Sequence, residues 1–426
     1  MNLRAILSDE KTMKKVSLIS TAFLFAVLIF MVFWFRGPQL SDAVTYIHLA
    51  KQSIAMNTFY PHEANIHDTY IFAPGFVNFL IVLFRITSNI KIVFVANIVF
   101  MCILLFSMRY IIIRLFQNRH LFYLFSVLFS FFPTYWGEIV SVRTEIPYTA
   151  LAFLSFAVLL HDKKFSPFAA GILLALANWI RPLALAYFIA MLLYLFIKKA
   201  GKLKCFFLIA GFTLTILTIG FITYWNFGYF VFQSTTSGVN LIMGANDDAD
   251  GSYDDTCFQQ GKIAYLDSEA QKTMTFKEKD RYYRNLALEW IAKHPVKWTA
   301  LLGAKLFVMY SADLYARTVF FQAAEDFSLA SLVFRWIKGN IQAADIILIH
   351  SQILYMFIFV LFLVSVIPMF KKQAIASVLP LFSICFIGTA MTVIILGGAR
   401  YHFPYLPIFM IFASWFIYTY FLKLNR

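Results

Sequence analysis

LSDAVTYIHLAKQSIAMNTFYPHEANIHDTYIFAP, residues 40–74, is a polar interruption in an otherwise greasy chain. It holds Asp42, His48, His62, Glu63, His67 and Asp68, although only 14% of the chain is charged. A long uncharged, mostly apolar run, 16–35, precedes it, and apolar runs recur from there to the C-terminus. Ser41 stands just before Asp42, and Ala43, Val44, Ile47, Ala50 and Ile54 follow at helical spacing. The spacing predicts a short amphipathic helix opening at Asp42 and lying at a membrane surface.

The surroundings of this stretch set the class. Of 426 residues, 61% are hydrophobic and 50 are Phe, and mean hydropathy is +0.73. A water-soluble body of this size cannot hide so much apolar surface while still coating its exterior with polar groups. Runs of about 18 to 25 apolar residues flanked by Lys and Arg fit helices crossing a hydrocarbon core of about 30 Å. The expected fold class is an all-α polytopic membrane protein of about ten transmembrane helices. The net charge of +14 sits in clusters at the ends of these runs, as cytoplasmic loops and anionic headgroups require, and leaves no folded basic domain for nucleic acid. Of the four cysteines only Cys257 lies in a polar segment, so no disulfide framework is implied.

Basic clusters also fix topology. Arg4, Lys11, Lys14 and Lys15 place the N-terminus in the cytoplasm and 16–35 reads as a retained first span, which puts the loop bearing Asp42 outside. Counting both apolar runs within 72–116 as spans would carry Arg109, Arg114, Arg119, Lys163, Lys164, Lys198 and Lys199 outside. Reading 74–86 as an interfacial or half-inserted helix restores all of them to the cytoplasm. The remaining spans are then 91–116, 121–135, 145–160, 167–180, 183–197, 205–224, 344–370, 374–396 and 405–422. This divides the chain into an N-terminal membrane module, 1–224, whose external loop spans 36–90, an external region, 225–343, and closing spans, 344–426. The apolar piece 298–310 carries Lys305 and reads as a second interfacial helix.

Asp42, Glu145, Arg143, Arg181 and Arg400 thereby share one face. A carboxylate can take a proton from an attacking hydroxyl, and guanidinium groups can hold a phosphate as it leaves. Each has a plainer role: Asp42 as a helix N-cap, Arg143 with Glu145 as a local ion pair, Arg181 and Arg400 as arginines snorkelling to water, Lys305 as a helix anchor. His62, Glu63, His67 and Asp68 are the candidate ligands for a divalent metal, in no strict motif. Gly-rich phosphate loops, HExxH and GxSxG are absent.

Several segments together resemble the C-type membrane glycosyltransferases, in particular the protein O-mannosyltransferase and lipid A aminoarabinose transferase group. They are Asp42, Tyr46 and Ala50 in D-x3-Y-x3-A; FYP at 59–61; YIFAPGFVNFL at 70–80; RTEIPY at 143–148; WIRPLAL at 179–185; STTSGVNLIMGAN at 234–246; AKHPVKW at 292–298; and ARYHFPYLP at 399–407. The resemblance implies a catalytic acid in the first external loop, interfacial helices after it, and a cavity that admits a polyprenyl-phosphate sugar donor from the outer leaflet. By position, Asp42 would be the general base, Arg181 and Arg400 the phosphate-binding residues, and Tyr60, Glu145, Lys305 and Tyr401 cavity residues. The partners implied are the lipid donor, an extracytoplasmic acceptor and membrane lipid, and the location is a bacterial inner membrane with the active face outside. Two departures stand out: Ala43 follows Asp42 where many relatives have a second acid, and Phe72-Ala73 precedes Pro74-Gly75 where the aminoarabinose enzymes have a charged pair. A polysaccharide polymerase or ligase would use the same arginines on the same face. A lipid-linked-sugar transporter would need charge at span centres, which are nearly bare.

Overall fold

A computed structural model describes residues 9–253, 256–259, 272–313, 336–340 and 343–422. The described elements are helices: α1 Glu10–Trp34, α2 Asp42–Ala55, α3 Pro74–Ile86, α4 Lys91–Phe116, α5 Arg119–Ser130, α6 Pro133–Glu138, α7 Glu145–Leu159, α8 Ser166–Ile180, α9 Ala184–Ile197, α10 Lys202–Phe227, α11 Ser237–Met243, α12 Thr256–Gln259, α13 Phe276–Lys293, α14 Pro295–Tyr310, α15 Ala343–Lys372, α16 Ile375–Ile395 and α17 Leu406–Ile417. A 3-10 segment, Ala399–Tyr405, leads into α17.

Each of the ten segments expected to span is built mainly of helix over the described residues, but the count of ten full spans is not confirmed. Among the described residues six helices are long and apolar enough to cross a membrane: Glu10–Trp34, Lys91–Phe116, Lys202–Phe227, Asp345–Lys372, Ile375–Ile395 and Ala399–Leu422. The others fall short for local reasons. Pro133 breaks 121–135 into α5 and α6. Helices α7 and α8 have 15 residues each and α9 has 14, about 21 to 23 Å at 1.5 Å per residue. Helix α8 stops at Ile180 because Arg181 precedes Pro182 and takes an extended conformation, φ −147°.

Packing gathers the short helices inside the long ones. Helix α8 lies between α7 and α10, and α4 covers α7. Gly171 of α8 meets the backbone of Leu208 and Phe212, and Gly211 of α10 meets that of Phe168; a Cβ on either glycine would overlap the other helix. Small residues give such close backbone contact where lipid supplies no hydrophobic drive between helices. Helix α3 begins at Pro74, behind Ala73 in the left-handed region, and covers the range expected for the half-inserted helix. It packs on α2, and its first two turns are buried. A second apolar cluster gathers Val239, Ile242 and Met243 of α11 with Tyr283 and Ala287 of α13 and Leu396.

Candidate active site

The helix opening at Asp42 forms as the spacing predicts, with Ala43, Tyr46, Leu49 and Ala50 on its buried side. Asp42 is its first residue and Ser41 the cap, so the N-cap role does not fall to Asp42. Its carboxylate instead accepts from Arg400: Nη1 lies 2.5 Å from Oδ2. Tyr46 fixes the helix by stacking on Phe72, centroids 4.7 Å apart, and by an edge contact to Phe76.

Glu145 stands at the start of α7 with no exposed surface. Its Oε1 receives Arg181 Nη1 at 2.6 Å, Arg400 Nε at 3.1 Å and Arg400 Nη2 at 2.9 Å. Arg181 Nη1 also donates to Thr144 Oγ1 at 3.3 Å. Burying a carboxylate is tolerable only with such pairing. Arg400 thus turns one prong toward Asp42 and its other two donors toward Glu145, a use of the planar fork that an ammonium cannot copy. It can do so because Gly397 and Gly398 end α16 and Pro404 and Pro407 follow, leaving the tight 3-10 turn that presents it. Tyr401 joins the group: Arg181 Cζ lies 5.6 Å and Arg400 Cζ 6.0 Å from its ring centre.

Three other buried groups at this end of the molecule were not singled out from sequence as site residues. Glu138, at the end of α6, is 1% exposed, and burial, helped by the charge of Glu145, pushes its carboxyl well above the usual range. The 139–143 loop after it is clamped by Asn97, which donates to the Ile139 and Ser141 carbonyls, and by Gln39, which donates to Val140 O and accepts from Val142 N. Asp313 and His402, each 1% exposed, face each other at 3.7 Å. His402 Nδ1 lies 2.7 Å from Met309 O, and Asp313 accepts from Thr134 and Ser351. This pair anchors the turn bearing Arg400 to α6, α14 and α15. A histidine two residues past a candidate arginine was the only sign of it in the sequence.

The remaining expected residues make other contacts. Tyr60 is buried and structural: its hydroxyl accepts from Phe72 N at 2.8 Å, and Asn78 binds its backbone N–H and C=O. Lys305 is fully buried on α14, 4.1 Å above the Trp298 ring centre. The four candidate metal ligands do not converge. Glu63 and His67 are exposed, His67 contacts Met274 O at 3.3 Å, Asp68 accepts from Asn65, and His62 turns inward with both ring nitrogens buried and without hydrogen bonds. Burial accordingly lowers the pKa of His62. Among the described residues no group of three or more His, Cys, Asp or Glu is placed to hold a metal ion.

A carboxylate 28% exposed is thus joined through Arg400 to a buried glutamate that also holds Arg181; a carboxylate of this kind can accept a proton, and guanidinium groups can hold an anion. No family model matches the chain, and no curated protein matches it. Among solved structures the chain is similar to the archaeal oligosaccharyltransferase AglB from Archaeoglobus fulgidus in complex with an inhibitory peptide and a dolichol-phosphate. Identity is 13% and the TM-score 0.51, over 95% of this chain and 50% of that one. It is likewise similar to the apo form of the Archaeoglobus fulgidus oligosaccharyltransferase, at 12% identity and a TM-score of 0.52, over 96% of this chain and 50% of that one. The chain spans about half the length of the structures it matches. At this identity the likeness is one of fold.

Proposed function

We propose that this integral membrane protein is a glycosyltransferase that moves a sugar from a polyprenyl-phosphate carrier to a hydroxyl of an extracytoplasmic acceptor. The observation that carries the reading is the Asp42–Arg400–Glu145–Arg181 chain of contacts, which joins an accessible carboxylate to two cations across residues 358 positions apart. The archaeal structure of the same fold was solved with a dolichol-phosphate and a peptide, which supports a lipid-linked donor here.

The chemistry is a single displacement. Asp42 takes the proton of the acceptor hydroxyl, the oxygen forms a bond to the anomeric carbon, and the bond from that carbon to the phosphate oxygen breaks. The carrier phosphate leaves with the electron pair, held by Arg400 and Arg181, and the configuration at the anomeric carbon inverts. Glu145 keeps both guanidinium groups aimed and hydrogen-bonded. The finer assignment we favour is the O-mannosyltransferase and aminoarabinose transferase-like group, in a bacterial inner membrane with the site facing out.

Mass spectrometry of lipid-linked sugars and envelope glycans, from host cells with and without the protein, tests this. A lipid-linked sugar should accumulate and one glycosylated product disappear when the protein is missing. Identical profiles in both would refute the reading.

A further inference from the structure

A cavity of about 670 Å³ opens beside the first turns of α2, within the range of about 300 to 1,000 Å³ for sites that take small molecules. Thr45 and Leu49 form one wall. They follow Asp42 by three and seven residues, so all three share a face of the helix, with Thr45 about 4.5 Å further along its axis. Tyr70 and Phe72 form another wall. Their rings meet edge to face, and Phe72 stacks in turn on Tyr46, one turn beyond Asp42. The cavity therefore begins within a helical turn of the proposed base.

Asp68 and Thr69 bring polar atoms to it. Asp68 accepts from Asn65 through Oδ2 at 2.9 Å, and its Oδ1 makes no hydrogen bond among the described residues. The exposed hydroxyls of Thr45 and Thr69 make none either. Buried Lys279 also lines the cavity and fixes the 67–69 turn by donating to His67 O. The main chain of the aromatic wall, by contrast, is already paired. Ile71 N donates to Thr235 Oγ1, Phe72 N to Tyr60 Oη and Ala73 N to Ser234 Oγ, each at 2.8 Å, and Ile71 O accepts from Thr235 N at 2.9 Å. A peptide thus has no free edge on which to add as a strand. A lipid tail would strip water from Asp68 and the threonines without pairing them. Aromatic rings flanked by a carboxylate oxygen and two hydroxyls suit a saccharide, which has an apolar ring face and hydroxyl donors around its rim.

We propose that this cavity binds the acceptor and that the acceptor is a saccharide: one sugar ring rests against Tyr70 and Phe72, donates to Asp68 Oδ1, and so brings a hydroxyl to Asp42. This rests on the glycosyltransferase reading above, which leaves the acceptor open. It adds no step to that chemistry, since the saccharide hydroxyl is the oxygen that gives its proton to Asp42 and bonds to the anomeric carbon.

The test begins with the product that disappears when the protein is missing, its linkage read by permethylation and mass spectrometry. The transferred sugar should sit on a hydroxyl of another sugar. Attachment to Ser or Thr of a polypeptide, or to a lipid phosphate, overturns the inference and leaves the glycosyltransferase reading intact, whereas the absence of any missing product overturns both. Transfer kinetics of the full-length protein in nanodiscs then test the cavity, with the lipid-linked donor and the unmodified saccharide both isolated from cells lacking the protein. Tyr70→Ala and Asp68→Asn should each raise KM for the saccharide about tenfold, the scale of a ring contact or a charged hydrogen bond, with KM for the donor unchanged. Tyr70→Phe keeps the ring face and should regain most of the loss. Because Tyr70→Ala removes packing as well as a ring, a further variant leaves that wall intact: Thr69→Cys, at an exposed position and without the four native cysteines. Attaching a bulky maleimide to it should cut transfer by about tenfold or more, the same scale, and saccharide added beforehand should slow the attachment. An unchanged saccharide KM in both Tyr70→Ala and Asp68→Asn, or undiminished transfer by the maleimide-bearing Thr69→Cys, overturns the assignment of this cavity.

Discussion

Asp42→Asn separates chemistry from structure more cleanly than any other change. In the native protein Asp42 and Arg400 are paired at 2.5 Å with side chains 28% and 25% exposed. A pair so open to water contributes about 0.2 to 1 kcal/mol. Arg400 keeps its two contacts to Glu145 when the charge at position 42 is lost, so the melting transition should barely move. Asparagine cannot accept the proton of an attacking hydroxyl, and losing a general base costs about 100-fold or more, about 2.7 kcal/mol on the barrier. The assay is sugar transfer by purified protein, with the lipid-linked donor isolated from cells lacking the protein. Turnover should collapse while KM for the donor stays level or falls slightly, because one prong of Arg400 is released for phosphate. Asp42→Glu should recover little, since a shift of about 1 Å can itself cost about 100-fold. Native turnover in Asp42→Asn would refute the assignment and send the search to Glu138 or Asp68.

Glu145→Gln should behave oppositely: it removes the only carboxylate paired with Arg181 among the described residues and takes from Arg400 its buried partner while Asp42 stays, and should lower unfolding stability by about 3 to 5 kcal/mol, read by thermal denaturation in detergent. An unchanged melt would show that the buried pairing is dispensable. Lys305 binds fewer protons folded than unfolded between pH 8, its folded value, and its ordinary range near 10.4. Native stability relative to Lys305→Met should therefore rise with pH across that window, with a slope of at most about 1.4 kcal/mol per pH unit; parallel curves would contradict it. In a background lacking Cys102, Cys205, Cys257 and Cys385, a cysteine at exposed Thr69 should react with an impermeant thiol reagent in intact cells. Cysteines at exposed Lys163 and Lys371 should react only after lysis, and labelling of Lys163 beforehand would invert the topology.

Much of this was legible in the chain because lipid imposes a one-dimensional code. Apolar runs, basic flanks and the parity of Lys and Arg located the helices, and charge parity alone singled out 74–86, where Pro74–Ile86 is found. The segment 121–135 was misjudged because Pro133 divides it into two helices, whereas the end of 167–180 before Arg181-Pro182 was read as it is found. The cluster was legible residue by residue but not as a cluster: nothing local ties Asp42 to Arg400 or separates a snorkelling arginine from one folded onto Glu145. Glu138, Asp313 and His402 went unread because single polar residues between apolar runs look like loop residues until the packing closes over them. The four candidate metal ligands show the converse, since proximity in sequence did not bring them together.

The separation of 358 positions between Asp42 and Arg400 also bears on how the protein is made. At about 5 to 20 residues per second, roughly 20 to 70 seconds pass between synthesis of the two, and Glu145 waits for its second arginine over 255 positions. Contacts of such high order close late. A nascent chain would have α1 and α4 inserted while Asp42 still lacked its guanidinium and Glu145 was joined only to Arg181. A nonsense codon between residues 182 and 399 would thus release an inert polypeptide with a half-compensated carboxylate in its interior, the kind of defect that membrane quality-control proteases can find by its looseness.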